Sequence, residues 1–196
     1  MAVNKMNILV VDIEIGIIDL NKNKWDLDNC MICDIGIAKL DTITGSISKV
    51  FDKICQEKQG CSPDSWVFKN TDLSYDDVID SDYLSSQKAT LQQILDEGGH
   101  VTSWGHDFDL ARLEHRGFKI PNKFWDPLIT LTKYMKIEGP YGYKWPKVEE
   151  AYLHFNPGQI CPQNHRAMND AVIEAEIIYQ SIRKWPELID SWEKYL

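Results

Sequence analysis

The chain has 196 residues, 43% of them hydrophobic and 26% charged, enough for one globular domain with a single core and no disulfide or structural-metal staple. Its 21 basic against 30 acidic residues leave a formal charge of −9, which argues against a protein that grips a phosphate backbone or an anionic membrane through a basic face. No apolar run approaches the ~18 residues that span a bilayer, residues 1–6 lack the layout of a signal peptide, and the five cysteines, odd in number and without paired spacing, read as reduced thiols of a cytoplasmic protein.

Residues 6–12 (MNILVVD) are almost wholly apolar and β-branched, which predicts a central strand buried on both faces and ending at Asp12. Residues 31–40 and 46–57, separated by the turn cluster Asp41-Thr42-Ile43-Thr44-Gly45, predict a hairpin beside it. The stretch from Gln56 to Asp82 is the least periodic, rich in Asp and Ser, and reads as a long connection with a short helix near 76–79. Leu84, Leu91, Ile94 and Leu95 recur at helical spacing until Gly98-Gly99, and a short strand follows at 100–104. Helical patterns then come at 107–116, 127–136, 147–154, 166–184 and 187–195, broken by Pro121, Gly139-Pro140 and Pro157-Gly158. No repeat or linker divides the chain, so a single domain over residues 1–196, of α/β or α+β class, is expected. The amphipathic run Trp185–Trp192 either closes the core or pairs two copies in a homodimer, and the sequence leaves both open.

Three clusters carry candidate chemistry. Asp12 and Glu14, two residues apart on a strand, project to one side and can share a metal ion, although solvated strand-end acids look the same. Residues 103–113 (SWGHDFDLARL) form a strand end, a glycine turn and a helix start; Asp107 and Asp109 fit acids that complement a helix dipole, with Asp109 near the rim where the strand ends. In residues 164–170 (NHRAMND), His165 stands at a helix entrance and Asp170 about one turn in, a spacing that lets both border one cleft. Cys30 and Cys33 fall in a predicted strand, where residues three apart face opposite sides, which disfavours a metal knuckle.

Taken together and in this order, Asp12-x-Glu14, Phe108-Asp109 and His165-x-Ala167-x-x-Asp170 resemble the three motifs of the DEDDh 3′-to-5′ exonucleases, the proofreading-exonuclease and RNase T superfamily. Residues 143–152 (YKWPKVEEAY) are similar to the helix that precedes the third motif in stand-alone members. The resemblance implies an α/β, ribonuclease H-like fold, a five-stranded mixed sheet flanked by helices, with its first three strands antiparallel. It implies Asp12, Glu14, Asp109 and Asp170 as ligands of two Mg²⁺ or Mn²⁺ ions and His165 as general base. The implied reaction is hydrolysis of single-stranded or 3′-frayed DNA or RNA to nucleoside 5′-monophosphates. Physical chemistry fits: clustered carboxylates repel one another until cations arrive, and the cations make an acidic pocket attractive to phosphate.

Departures from the family pattern define further candidates. Where many members have Thr or Ala after the first-motif Glu, this chain has Ile15-Gly16-Ile17-Ile18. The backbone amides of Ile15 or Gly16 are then the candidates to hold a terminal 3′-hydroxyl, and Ile15 or Ile17 to wedge the last base. His106, which stands where a polar residue precedes Phe-Asp, is a candidate sugar contact. Lys144, Lys147 and Arg166 are candidate phosphate contacts, and Trp104, Tyr143 and Trp145 candidate stacking surfaces. The competing reading is a catalytically silent nucleic-acid-binding or complex-assembly module on the same fold. Retention of all five motif residues favours the enzyme.

Overall fold

The computed structural model describes residues 6–189. β1 (Asn7–Ile17), β2 (Cys30–Asp41), β3 (Ile47–Ile54) and β4 (His100–Thr102) form a mixed sheet in the order β3-β2-β1-β4. β1 pairs antiparallel with β2 and parallel with β4. The predicted hairpin is β2–β3, closed by Gly45 N–H donating to the Asp41 carbonyl at 2.9 Å, with Gly45 at φ 74°.

β1 does not end at Asp12. It runs on to Ile17 because Ile13, Ile15 and Ile17 keep the strand alternation and β2 is long enough to pair with all of it. Asp12 thus lies mid-strand opposite Gly36, and Glu14 opposite Asp34, with the register shifting between Glu14 and Ile15. The expected fifth strand is also corrected. Beyond β4, the described residues show a single parallel bridge, Val101 to Lys123, made by Val101 N–H to Asn122 O (2.8 Å) and Phe124 N–H to Val101 O (2.7 Å). Pro121 has no amide to give, and Asp126 already caps the helix that begins at Pro127, so no longer strand fits between them.

The connection after β3 holds α1 (Trp66–Asn70), which the sequence reading lacked, and α2 (Tyr75–Ile79). α3 (Leu84–Glu97) stops at Gly98 as expected, and α4 (Asp109–His115) and α5 (Pro127–Met135) follow the sheet. A small antiparallel pair, β5 (Glu138–Gly139) with β6 (Gly142–Tyr143), occupies the Gly139-Pro140 break; α6 (Val148–Phe155) and α7 (Ala167–Lys184) complete the order. Of the 187–195 pattern, 187–189 are helical, with Leu188 and Ile189 buried in the core, and the remainder lies outside the described residues.

β1 is covered on both faces, as its unbroken apolar run requires. Leu9, Val11 and Ile13 pack with Leu91 and Leu95 of α3 and Leu110 and Leu113 of α4. Ile8 and Val10 pack with Ala171, Ala175 and Ile178 of α7. Each of the buried Val, Leu and Ile side chains among them contributes about 1.5–3 kcal/mol of transfer free energy. By strand alternation Asp12 and Glu14 continue the Ile8–Val10 row, so the acids start where that apolar row stops, on the α7 face.

The entrance of α7 is pinned to the sheet at the same level. A Cβ on Gly36 would lie 2.3 Å from the Ala167 carbonyl, so only glycine lets the helix approach this closely. Asp34, fully buried, accepts hydrogen bonds from Arg166 Nε (2.8 Å) and the Ala167 amide (3.2 Å). Among the described residues no helix is long and apolar enough to cross a membrane.

Candidate active site

A cleft of about 450 Å³ opens between β1, the start of α4 and the start of α7, and Asp12, Glu14, Asp109, His165 and Asp170 all line it. Asp12 and Glu14 are half-buried on β1. Asp109 is the first residue of α4 and 3% exposed rather than at the rim, because Leu110 and Leu113 draw α4 under β1; its Oδ1 accepts the Ile13 amide at 3.2 Å. Asp170, in the first turn of α7, is buried and accepts Gln163 Nε2 on Oδ2 at 2.9 Å. His165 precedes α7 in the left-handed region (φ 54°), a conformation that costs a side-chain-bearing residue about 1–2 kcal/mol and that persists where the surroundings enforce it. Its Nδ1 is 3.7 Å from Asp170 Oδ2, its ring meets the Trp66 ring edge-on at 5.2 Å, and its side chain is half-exposed to the cleft.

The acids crowd one another. Burial first, then repulsion from Glu174, Asp109, Glu14 and Asp170, holds the Asp12 carboxyl well above the usual carboxylate range. Burial, then Asp170, Asp109 and Asp34, push Glu14 up to about 9. Burial raises Asp109 to about 7 against the pull of the Ile13 amide, and also raises Asp170 against its bonds from Gln163 and the nearby His165. The residues present fit a divalent cation. The donors are hard carboxylate oxygens, the ligand atoms of Glu14, His165 and Asp170 lie within 4.8 Å of one another, and Asp12 Oδ2 is a buried oxygen with no hydrogen-bond partner.

A pH dependence follows with a definite sign. In an unfolded chain these carboxyls titrate near 4. In the fold Glu14 does so at about 9 and Asp109 at about 7, so between those limits the folded protein keeps protons that the unfolded chain has released. Stability of the metal-free protein therefore falls as pH rises. The melting temperature in chelator is expected to be lower at about pH 8.5 than at about pH 7, and excess Mn²⁺ to flatten the decline. A melting temperature in chelator that climbs over this interval would contradict the crowded-acid description.

Neither a protein-family model nor a curated protein matches the sequence. Solved structures do match its fold. The nuclease domain of 3′hExo, a DEDDh family member bound to rAMP, aligns with a TM-score of 0.67 at 14% identity over 94% of this chain and 96% of that one. A full-length 3′-exonuclease aligns at 0.66 and 15% over 92% of this chain and 61% of that one. E. coli Exonuclease I in complex with a dA16 oligonucleotide aligns at 0.67 and 12% over 95% of this chain and 42% of that one. The fold is that of the DEDDh exonucleases. The mixed α/β, ribonuclease H-like architecture is thus present, with four strands in the described main sheet. The chain spans about three fifths of the full-length 3′-exonuclease and under half of Exonuclease I.

Ile15, Gly16, His106, Lys144, Lys147 and Arg166, candidate substrate contacts from the sequence, are not among the residues that line the cleft. Ile15 packs against the α3–α4 core, and a Cβ on Gly16 would sit 2.3 Å from Cys61 Sγ. His106 Nε2 is 3.0 Å from Thr102 Oγ1, whose proton goes to the Trp125 carbonyl (2.9 Å), so the ring nitrogen is the donor and braces the turn; burial lowers its pKa. Lys144 is paired with Glu150, Lys147 is the N-cap of α6, and Arg166 is spent on Asp34. No Lys or Arg is among the described residues that line the cleft. Trp104 and Trp145 do line it, and Trp104 Nε1 donates to the Pro146 carbonyl at 3.0 Å, which fixes the neighbouring Trp145 at the mouth. Tyr143 is exposed on β6, outside the lining. Sequence reasoning missed Trp25, which lines the cleft 60% exposed and meets Phe108 edge-on at 5.7 Å, and Glu174, buried one turn past Asp170. The Asp170-x-x-x-Glu174 spacing was the available signal, hidden inside an apolar helical pattern.

Proposed function

We propose that the chain is a metal-dependent 3′-to-5′ exonuclease that hydrolyses single-stranded or 3′-frayed DNA or RNA to nucleoside 5′-monophosphates. The observation that carries this reading is the convergence of Asp12, Glu14, Asp109, His165 and Asp170, spread over 159 positions of sequence numbering from 12 to 170, on one cleft. Their fold-mates bound to rAMP and to a dA16 oligonucleotide support it. Two Mg²⁺ or Mn²⁺ ions held by the four aspartate and glutamate side chains would supply the Lewis acidity that makes water a nucleophile and steadies a departing 3′-oxygen.

The protein's own part is then positional. His165 faces Asp170 through Nδ1, which orients the ring and leaves Nε2 to accept a proton from water in the cleft. Trp25 and Trp145, 60% and 66% exposed at the mouth, offer flat faces to bases, an interaction indifferent to sequence. With Lys144 and Arg166 already paired to Glu150 and Asp34, stacking and the neutralised carboxylates carry substrate affinity. A catalytically silent module on this fold would bind but not cut.

The deciding assay uses 5′-labelled single- and double-stranded DNA and RNA with Mg²⁺ or Mn²⁺. Stepwise shortening from the 3′ end with release of 5′-monophosphates is expected, fastest on single strands. Intact label on all substrates in both metals would overturn the proposal.

A further inference from the structure

We infer that Glu174 is a fifth carboxylate of the metal site, offering its unpartnered oxygen to a divalent cation bound in the cleft. The inference rests on the metal-dependent reading above and goes beyond the motif residues that suggested it. Glu174 lies on α7 four residues after Asp170, on the same helical face, and lines the cleft while only 2% exposed. Its Oε2 is buried and accepts no hydrogen bond, and the same holds for Oδ2 of Asp12. Among the described residues that line the cleft there is no Lys or Arg to neutralise it. The backbone amide of Trp104 is the group that favours its ionised form, against burial and the charges of Asp109, Asp170 and Asp126.

A buried carboxyl with an empty acceptor is expensive unless something fills it, and a leucine or glutamine there would spare the fold that cost. Glu174 heads the acids that repel Asp12, ahead of Asp109. The group Glu14, His165 and Asp170 forms a separate cluster of potential ligand atoms. Glu174 lies outside that cluster, so its unfilled oxygen is a donor that Glu14, His165 and Asp170 do not supply. Five carboxylates facing two divalent cations hold those cations more tightly than four do, since the acidic excess is relieved only while both are bound.

The test is a calorimetric titration of the full chain with Mn²⁺, wild type against Glu174→Gln and Glu174→Asp, together with melting temperatures in chelator. The wild type is expected to take up two ions. In Glu174→Gln one of the two should bind tenfold to a hundredfold more weakly, while the metal-free protein melts higher because a buried unpaired acid is gone. Glu174→Asp, which keeps the charge on a shorter arm, should fall between them. Two unchanged affinities in both variants would overturn the inference and leave the exonuclease proposal standing. A wild type that binds no Mn²⁺ would overturn both.

Discussion

Asp12→Asn is expected to lower 3′-end trimming by at least about 10³-fold, the consequence of removing about 4 kcal/mol of transition-state stabilisation, while the metal-free protein becomes more stable. The two effects have opposite signs for one reason. Asp12 stands mid-strand on β1, opposite Gly36, where no side chain from β2 intervenes and where α7 brings Asp170 and Glu174 against it. Without a cation, its charge is repelled by Glu174, Asp109, Glu14 and Asp170, so an uncharged isostere relaxes the fold. With cations bound, the same charge is what holds them. Single-turnover trimming of a 5′-labelled oligonucleotide, paired with melting in chelator, checks both signs. Activity lost together with stability would indicate a damaged fold, and activity retained would remove Asp12 from the chemistry.

The parts of this site that could be read from sequence are those in which neighbouring positions constrain one another. A strand side holds Asp12 with Glu14, a helix entrance holds His165 with Asp170, and the order of the motifs supplied the rest. Distance in sequence hid the remainder. The extension of β1 to Ile17 depends on the length of its partner β2, which the apolar run of 6–12 does not reveal. That the described residues carry a single bridge beyond β4 follows from Pro121 and from the capping of α5 at Asp126, two local facts that a pattern of strand residues does not weigh. Arg166 looked free beside the third motif because its partner, Asp34, lies 132 positions away. Its role is to hold the α7 entrance on β2, which is how His165 and Asp170 reach the cleft. Glu174 has no place in the sequence analysis, since its spacing from Asp170 does not reveal that the packing of α7 on β1 encloses its carboxylate.

His165→Ala is expected to slow turnover by roughly 10²–10⁴-fold while leaving the uptake of two Mn²⁺ ions and the melting temperature nearly unchanged. Stability should survive because alanine bears the same Cβ penalty in the left-handed region that histidine bears at φ 54°. The half-exposed ring also gives up little buried area, its edge contact with Trp66 at 5.2 Å being the main loss. The metal result is the discriminating one. His165 sits within 4.8 Å of potential ligand atoms of Glu14 and Asp170, close enough to be either a ligand or a base. A ligand's removal weakens binding of one ion, whereas a base's removal leaves binding intact and slows turnover alone. Added imidazole, small enough for a cleft of about 450 Å³, should restore part of the rate to the alanine variant if the side chain's task is to take a proton. A loss of Mn²⁺ affinity that imidazole does not repair would assign His165 to the metal instead.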